Sequence, residues 1–375
     1  MINVKKVSTK KEQKEFINFP LRLYKNNPYF VPPIYVDEKN IFTDKNAYLK
    51  TCDQVFFLAE KDGKTVGRIQ GIIQKTHNEM TGEKRIRFSR FDCIDDREVS
   101  SALFSALEDY ALKSGFDIVC GPLGYSDLER EGLLIEGFNE LSTYEEQYNY
   151  EYYKDHIESL GYDKEIDWFE FQITLPDEPN LKLKRVAENA LRLSNLHLAD
   201  LSKLSISKII DKYGDGIFHC IDECYKHLYG TVPFDQDAKN QVIEGFKLVV
   251  NKDYLVVVLD ENEQVVAFAL MLPSLSKALQ KSGGKLTLPC IFKLLRAIKK
   301  PNVLDMALIG VLPKYQSKGI NAVALQSLTD IMTKKNVRYV ETNLNLETNG
   351  QVQSQWKYFN SREHKRRRSY VKKLK

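Results

Sequence analysis

The residues with the clearest chemical potential lie between an apolar run and a helical pattern near the C-terminus. Met306 to Leu312 is apolar, Pro313 ends the run, and Lys314-Tyr315-Gln316-Ser317-Lys318-Gly319 is a short polar loop. From Ile320 to about Lys335 the pattern is helical. A strand that enters a helix through small residues leaves backbone N–H groups unpaired at the helix start, and the helix dipole adds partial positive charge there. Such a turn suits a phosphate. Gly319 stands where backbone and ligand must approach closely. Gln316, Ser317, Lys318, Gly319, Ile320 and Asn321 are therefore the candidate phosphate-binding residues.

Three other groups could do chemistry. His219, Cys220, Cys224 and His227 are spaced so that Cys220, Cys224 and His227 share a helix face, and soft ligands suit zinc. A structural zinc needs four ligands and no second pair stands nearby, so these read as buried helix-face residues, with no metal site. Five tyrosines at 144, 148, 150, 152 and 153 could line a pocket, but aromatic area is mostly used for packing. The basic run His364–Lys375 could meet nucleic acid. It reads more simply as a solvated face, and a nucleic-acid partner is not expected.

The elements that must position the loop follow from periodicity. Val55–Glu60 and Thr65–Ile73 flank an Asp-Gly turn and predict a hairpin. Arg85–Ile94 predicts a strand, Glu98–Ser114 an amphipathic helix ended by Gly115, and Asp117–Pro122 another strand. Asp167–Leu175 alternates as an edge or closing strand. Pro176-Asp177-Glu178-Pro179-Asn180 reads as a linker. Helices are predicted over Asp215–Leu228 and Asp235–Val250. The earlier order then recurs: strands at Tyr254–Leu259 and Gln264–Leu272, a strand at Val303–Leu312, a helix at Gly319–Lys335, and a strand at Val337–Leu344. Between them lie an insertion, Pro273–Pro289, and a short basic amphipathic helix, Cys290–Lys300. That helix could lie on a membrane surface; an apolar face packed beside the active site explains it better. Two halves with one order of elements read as a divergent internal duplication.

Whole-chain properties narrow the class. At 375 residues two domains are expected, divided at 1–178 and 179–375. A net charge of +4 does not imply a polyanion partner. No apolar run approaches a membrane span, the N-terminus lacks a signal-peptide core, and six scattered cysteines form no disulfide framework. These features predict a cytoplasmic protein with no membrane partner. Oligomeric state has no sequence signature.

Val311-Leu312-Pro313 followed by Gln316-x-x-Gly319 resembles the acyl-coenzyme A motif of the GCN5-related N-acetyltransferase (GNAT) superfamily, Gln/Arg-x-x-Gly-x-Gly/Ala after a strand ending Val-x-Pro. Asn321 stands where the family prefers Gly or Ala. Val340-Glu341-Thr342-Asn343 resembles the family's next strand, and Glu347-Thr348-Asn349 its Asn-bearing turn. The layout from Phe56 onward is similar to a poorly characterised group of tandem-domain bacterial GNAT-like proteins. The resemblance implies an α/β (α+β) fold of two tandem domains, each a mixed, mostly antiparallel sheet flanked by helices. It implies acetyl-CoA or another acyl-CoA as donor, held by Gln316–Asn321, by Asn349 and by the strand positions Ile309 and Val311. It places Asp305 where many members carry a catalytic glutamate. The family's tyrosine, which protonates the departing thiolate, falls at Trp356 here, with Tyr358 two residues on as the displaced candidate.

The first half carries Phe91–Glu98 at the corresponding loop, with four acids and no glycine, so a phosphate would be repelled there and a structural or substrate-side role is expected. The leading expectation is an acyl-CoA-dependent, most simply acetyl-CoA-dependent, N-acyltransferase acting on a small-molecule or peptide amine. Two alternatives share the fold: a non-catalytic acyl-CoA-binding protein, and an aminoacyl-tRNA-dependent transferase of the peptidoglycan type, which lacks a good pyrophosphate loop in either half.

Overall fold

The structure is a computed structural model and describes all residues, 1–375. The first half runs β1 (Ile2–Lys6), α1 (Lys10–Leu23), α2 (Tyr35–Asn40), β2 (Cys52–Lys61), β3 (Lys64–Gln74) and α3 (Lys75–Thr81). It continues with β4 (Arg85–Cys93), α4 (Arg97–Lys113), β5 (Ile118–Gly121), β6 (Leu133–Glu136), α5 (Tyr152–Ser159) and β7 (Asp163–Thr174). The second half opens with α6 (Leu181–Leu193), β8 (His197–Leu198), α7 (Ile206–Tyr225), α8 (Gln236–Lys247), β9 (Leu255–Leu259) and β10 (Val265–Pro273). It then adds α9 (Ser276–Ser282), α10 (Leu288–Lys299), β11 (Val303–Val311), α11 (Ile320–Lys335), β12 (Tyr339–Thr342), β13 (Asn345–Leu346), α12 (Gly350–Gln353) and β14 (Asn360–Lys373).

Local chemistry accounts for the repeated unit. Asp62 and Gly63 both take positive φ, the two-residue turn that matches strand twist, and close the β2–β3 hairpin. Antiparallel hairpins β2–β3 and β9–β10 each lead to a strand, a helix and a parallel strand: β4–α4–β5 and β11–α11–β12. At the start of α4 the Asp96 carboxylate accepts from the Glu98 N–H and pairs with Lys61. An acid thus caps the helix that corresponds to α11 of the second half.

The two halves are joined by exchanged strands. One sheet runs β1-β2-β3-β4-β5-β14-β7-β12-β11-β10-β9-β8. β7, from the first half of the chain, pairs with β12 of the second. β14, the last strand, pairs with β5 of the first. The expected closing strand at Asp167–Leu175 is therefore central, bonded along most of its length to β14. The loop at 175–180 separates the halves in sequence, while the strands on either side cross between them.

This exchange changes the meaning of the basic C-terminal run. Tyr370 and Leu374 are turned inward, but the run is not a solvated face. Lys365 and Arg367 are fully enclosed and share Glu170, at 2.7 and 2.6 Å. Lys365 also lies 3.5 Å from Glu341, which pairs with His364. Burial pushes Glu170 up, but Lys365 and Arg367 together hold its carboxyl at about 2. These cations face a carboxylate on β7 because strand pairing puts them there, and they have no side chain left for a nucleic acid. No helix is long and apolar enough to cross a membrane.

Candidate functional site

β11 and β12 are parallel only from Val303 to Met306. Beyond Met306 they diverge, since β13 turns aside to pair with Phe169 and Trp168 of β7. The divergence opens a cleft of about 160 Å³. One wall is β11 from Met306 to Ile309; the other is the 342–349 segment with Trp356. The far side comes from the first half of the chain and carries five acids: Asp127, Glu129, Glu131, Glu145 and Glu146.

β11 leads straight from this wall into the Gln316–Gly319 loop. Ser317 and Gly319 both adopt left-handed backbone, with φ of 62° and 79°. Gly319 is the residue before α11, and a Cβ there would meet Val186 and Ala190 of α6 at 3.3 and 3.4 Å. The turn thus needs glycine for both conformation and space. No residue caps the start of α11 with a side chain, so its first N–H groups have no partner within the helix. Lys314 and Lys318 flank the loop over the Tyr315 ring. A turn of this shape at a sixteen-residue helix fits a phosphate group.

The sequence-derived residues take distinct places. Ile309 and Asn349 line the cleft. The Ile309 C=O accepts from the Tyr225 hydroxyl at 3.0 Å, and the Ile309 N–H donates to the same oxygen at 3.3 Å. Val311 lies beyond the cleft. Its C=O accepts from the Gln316 side chain at 3.0 Å and from the Cys224 thiol at 3.1 Å. Gln316 thus braces its own loop. Ile320 is buried under α11, and Asn321 is half-buried beside it. Asn349 caps α12 by accepting from the Val352 N–H.

Neither expected catalytic residue lines the cleft. Tyr358 packs partly buried against the apolar core between the sheet and α11. Asp305 is buried on β11 beside Glu341 in register, and neither carboxyl oxygen finds a hydrogen-bond partner. Burial first, then the nearby Glu145 and Glu341, push its carboxyl well above the usual range. Asp305 thus stands outside the cleft lining, its carboxyl pushed toward the protonated form. Trp356 is buried and donates its ring N–H to Asn345 at 3.0 Å.

The cleft carboxyls share one condition. Burial raises Asp127 to about 6 and Glu145 to about 7. Burial raises Glu146 to about 8 against the pull of Arg367, and it drives Glu131 well above its ordinary value. Glu129 lines the same wall, so five carboxyls face the cleft, and burial pushes each of them toward its protonated form. Sequence reading misses them, and Tyr225 and Trp168 as well. The acids lie about 160 to 180 residues before β11, in a loop with no periodic pattern. The Cys220–Cys224 pair resolves as packing: Cys220 points at the Val265 C=O and Cys224 at Val311. The tyrosine group also packs, with Tyr152 and Tyr153 donating to the Cys93 C=O and Tyr150 to that of Leu23.

No protein-family model matches the chain. It is 27% identical over 374 residues to Protein YghO of Escherichia coli (strain K12), covering 97% of this chain and 94% of that protein. It is 26% identical over 321 residues to the bacterial ceramide synthase of Caulobacter vibrioides, covering 84% and 82%. Among solved structures it is similar to a tandem GNAT protein from the clavulanic acid biosynthesis pathway, with a TM-score of 0.59 and 9% identity over 100% of this chain and 98% of that one. The chain has the tandem GNAT fold, a large mixed sheet flanked by helices.

Proposed function

We propose that this protein is an acyl-CoA-dependent N-acyltransferase whose second half holds the donor and whose first half presents the amine. The supporting observation is one continuous strand: β11 lines the cleft from Met306 to Ile309 and then runs on through Val311 into the Gln316–Gly319 turn. At one end β11 runs into a glycine turn suited to a pyrophosphate; at the other, five carboxyls, those of Glu131 and Glu146 buried, face the space an amine would enter. The name of the Caulobacter relative, ceramide synthase, is that of an enzyme forming an amide, which accords with the same bond being made here.

The donor supplies an acyl group on a sulfur leaving group. Ser317–Asn321 would hold its pyrophosphate, with Lys314 and Lys318 alongside. The edge of β11 at Ile309 would receive its extended arm once the Tyr225 hydroxyl gives way, and the Ile309 N–H so released is the strand donor placed to polarise a carbonyl. The amine enters as an ammonium attracted to the acid wall. Glu145 takes its proton, the nitrogen lone pair forms the C–N bond, and the C–S bond breaks. Tyr225 is the hydroxyl in this cleft nearest the strand edge; we assign it the proton that the sulfur receives, and the surplus N–H proton on the acylated nitrogen restores the tyrosine hydroxyl. Alignment of the reactants supplies much of the rate.

Calorimetry with acetyl-CoA, followed by thiol release over an amine panel, tests this reading. Binding with turnover on at least one amine is expected. The absence of binding at millimolar ligand overturns it. Trp356, buried in the position of the family's tyrosine, favours a second reading, an acyl-CoA-binding protein without catalysis. Binding without turnover on any amine would select it.

A further inference from the structure

Beneath α7 and α8 lies a second cavity of about 90 Å³. Its lining is aliphatic and aromatic, with Lys247 the one charged residue, and it is floored by Leu255, Phe268 and Leu270 of the sheet. Two of its residues, Phe246 and Leu308, also line the cleft between β11 and β12. The apolar cavity therefore adjoins the place where the acyl group would be transferred, separated from it by shared side chains. An acetyl group and a small polar amine have no use for such a space, since only apolar surface gains by entering it.

We propose that this cavity receives a linear alkyl chain, so that one substrate of the transfer is a lipid. The inference rests on the acyltransferase reading for the identity of the neighbouring cleft. The chain is either the acyl tail of the donor or the aliphatic tail of the amine, and both would thread past Phe246 into the space between α7 and α8. Gly214 on α7 lines this cavity, and a Cβ there meets only the Ile210 side chain, at an ordinary 3.5 Å. A larger residue at 214 can fill the space without strain on the helix.

Calorimetry over two homologous series reads the proposal directly: acyl-CoAs from acetyl to palmitoyl, and linear primary amines from ethylamine to hexadecylamine. In one series affinity is expected to rise about threefold to fourfold per methylene until the cavity is full. The series that rises names the substrate that owns the tail. Gly214→Leu should move the break to shorter chains and weaken the longest ligand by at least about tenfold. Flat affinities in both series, or a Gly214→Leu protein that binds the longest chain unchanged, would overturn the proposal. Failure of the acyl-CoA reading shows separately, as absence of binding by coenzyme A itself, while the amine series remains readable.

A different observation carries a second inference. α10 packs on the core through Cys290, Leu294 and Ile298. Its outer stripe of Leu288, Ile291, Phe292 and Leu295 is exposed, Leu288 and Phe292 by 73% and 72%. One apolar face of the helix therefore packs inward, and a second apolar stripe faces outward. Lys293, Arg296, Lys299 and Lys300 flank it, and residues 264–304 contain no Asp or Glu. Apolar side chains ringed by cations alone match a bilayer surface that bears anionic headgroups.

We infer that α10 seats this face of the protein on an anionic lipid surface. Flotation with phosphatidylcholine vesicles, with and without phosphatidylglycerol, tests it. Partition onto the anionic vesicles is expected at low salt. The double variant Leu288→Ser, Phe292→Ser, which changes only exposed side chains, should lower that partition at least about tenfold with thermal stability retained. Equal partition of variant and wild type, or no binding to anionic vesicles, would overturn the inference. A dimer in light scattering that the same variant dissolves would also overturn it, by assigning the stripe to a second copy of the chain.

Discussion

The Tyr225 hydroxyl engages both backbone groups of Ile309, donating to its C=O at 3.0 Å and accepting from its N–H at 3.3 Å. A side chain from α7 thereby satisfies the strand edge that β12 abandons at Met306. An extended ligand lying along β11 would need those same two groups and would have to displace the Tyr225 hydroxyl.

Removing that hydroxyl separates its roles. Tyr225→Phe should lower thiol release about 10²-fold if the hydroxyl protonates the leaving sulfur, with little change in the affinity for coenzyme A. Leaving the Ile309 groups unpaired should also cost about 1–3 kcal/mol of stability in the unliganded protein. Steady-state turnover beside denaturant titration measures both, and unchanged turnover would remove Tyr225 from the mechanism.

Gly319→Asp should weaken coenzyme A binding at least about 100-fold. The left-handed backbone and the contacts from Val186 and Ala190 leave no room for a side chain, and a carboxylate there repels phosphate. The strained φ should cost about 1–2 kcal/mol, so the variant stays folded. Calorimetry with circular dichroism reads the result; unchanged affinity would move the pyrophosphate elsewhere.

The acid wall predicts a pH dependence whose sign follows from burial. Glu145 ionises at about 7 in the fold, above its ordinary 4.5. The folded state therefore holds the proton more tightly than the unfolded state. Its contribution to stability is complete below 4.5 and is lost as pH rises through 7. Glu145→Gln should raise the melting temperature by about 1–3 °C at pH 8 and leave it unchanged at pH 4. Catalysis should run the other way: wild-type turnover rises with pH up to about 7, and the variant loses that limb. A variant with the wild-type pH profile would exclude Glu145 as the base.

The exchanged strands predict where the molecule is most sensitive. Lys365→Met leaves the Glu170 carboxylate buried with Arg367 alone and should destabilise the protein by about 3–5 kcal/mol. Adding Glu170→Gln to Lys365→Met should restore part of that loss, because the uncompensated charge is gone. Glu170 also sets an acid limit: held at about 2, it stabilises fully above its ordinary 4.5 and ceases to do so as pH falls through 2. Urea titrations of both variants provide the measurement.

Local order was legible in the chain itself. The Asp62-Gly63 hairpin, the helix behind Asp96 and the strand–loop–helix around Gly319 depend on neighbours a few residues apart, and their periodicity and turn chemistry specify them. The duplication was legible for the same reason, as one local order written twice. The glycine turn needs only Gly319 and the helix it begins, so its position could be named in advance. What the tertiary structure decided involves pairs far apart in sequence. Strand exchange put β7 and β14 at the centre, which turned a basic tail into the buried partners of Glu170. It brought Asp127, Glu129, Glu131, Glu145 and Glu146 to a cleft whose strands begin at Val303. It set Tyr225 against Ile309, and it left Asp305 and Tyr358 outside the cleft. Register and burial arise only when distant segments compete for the same sheet edge, and no pattern within a single segment records which one wins.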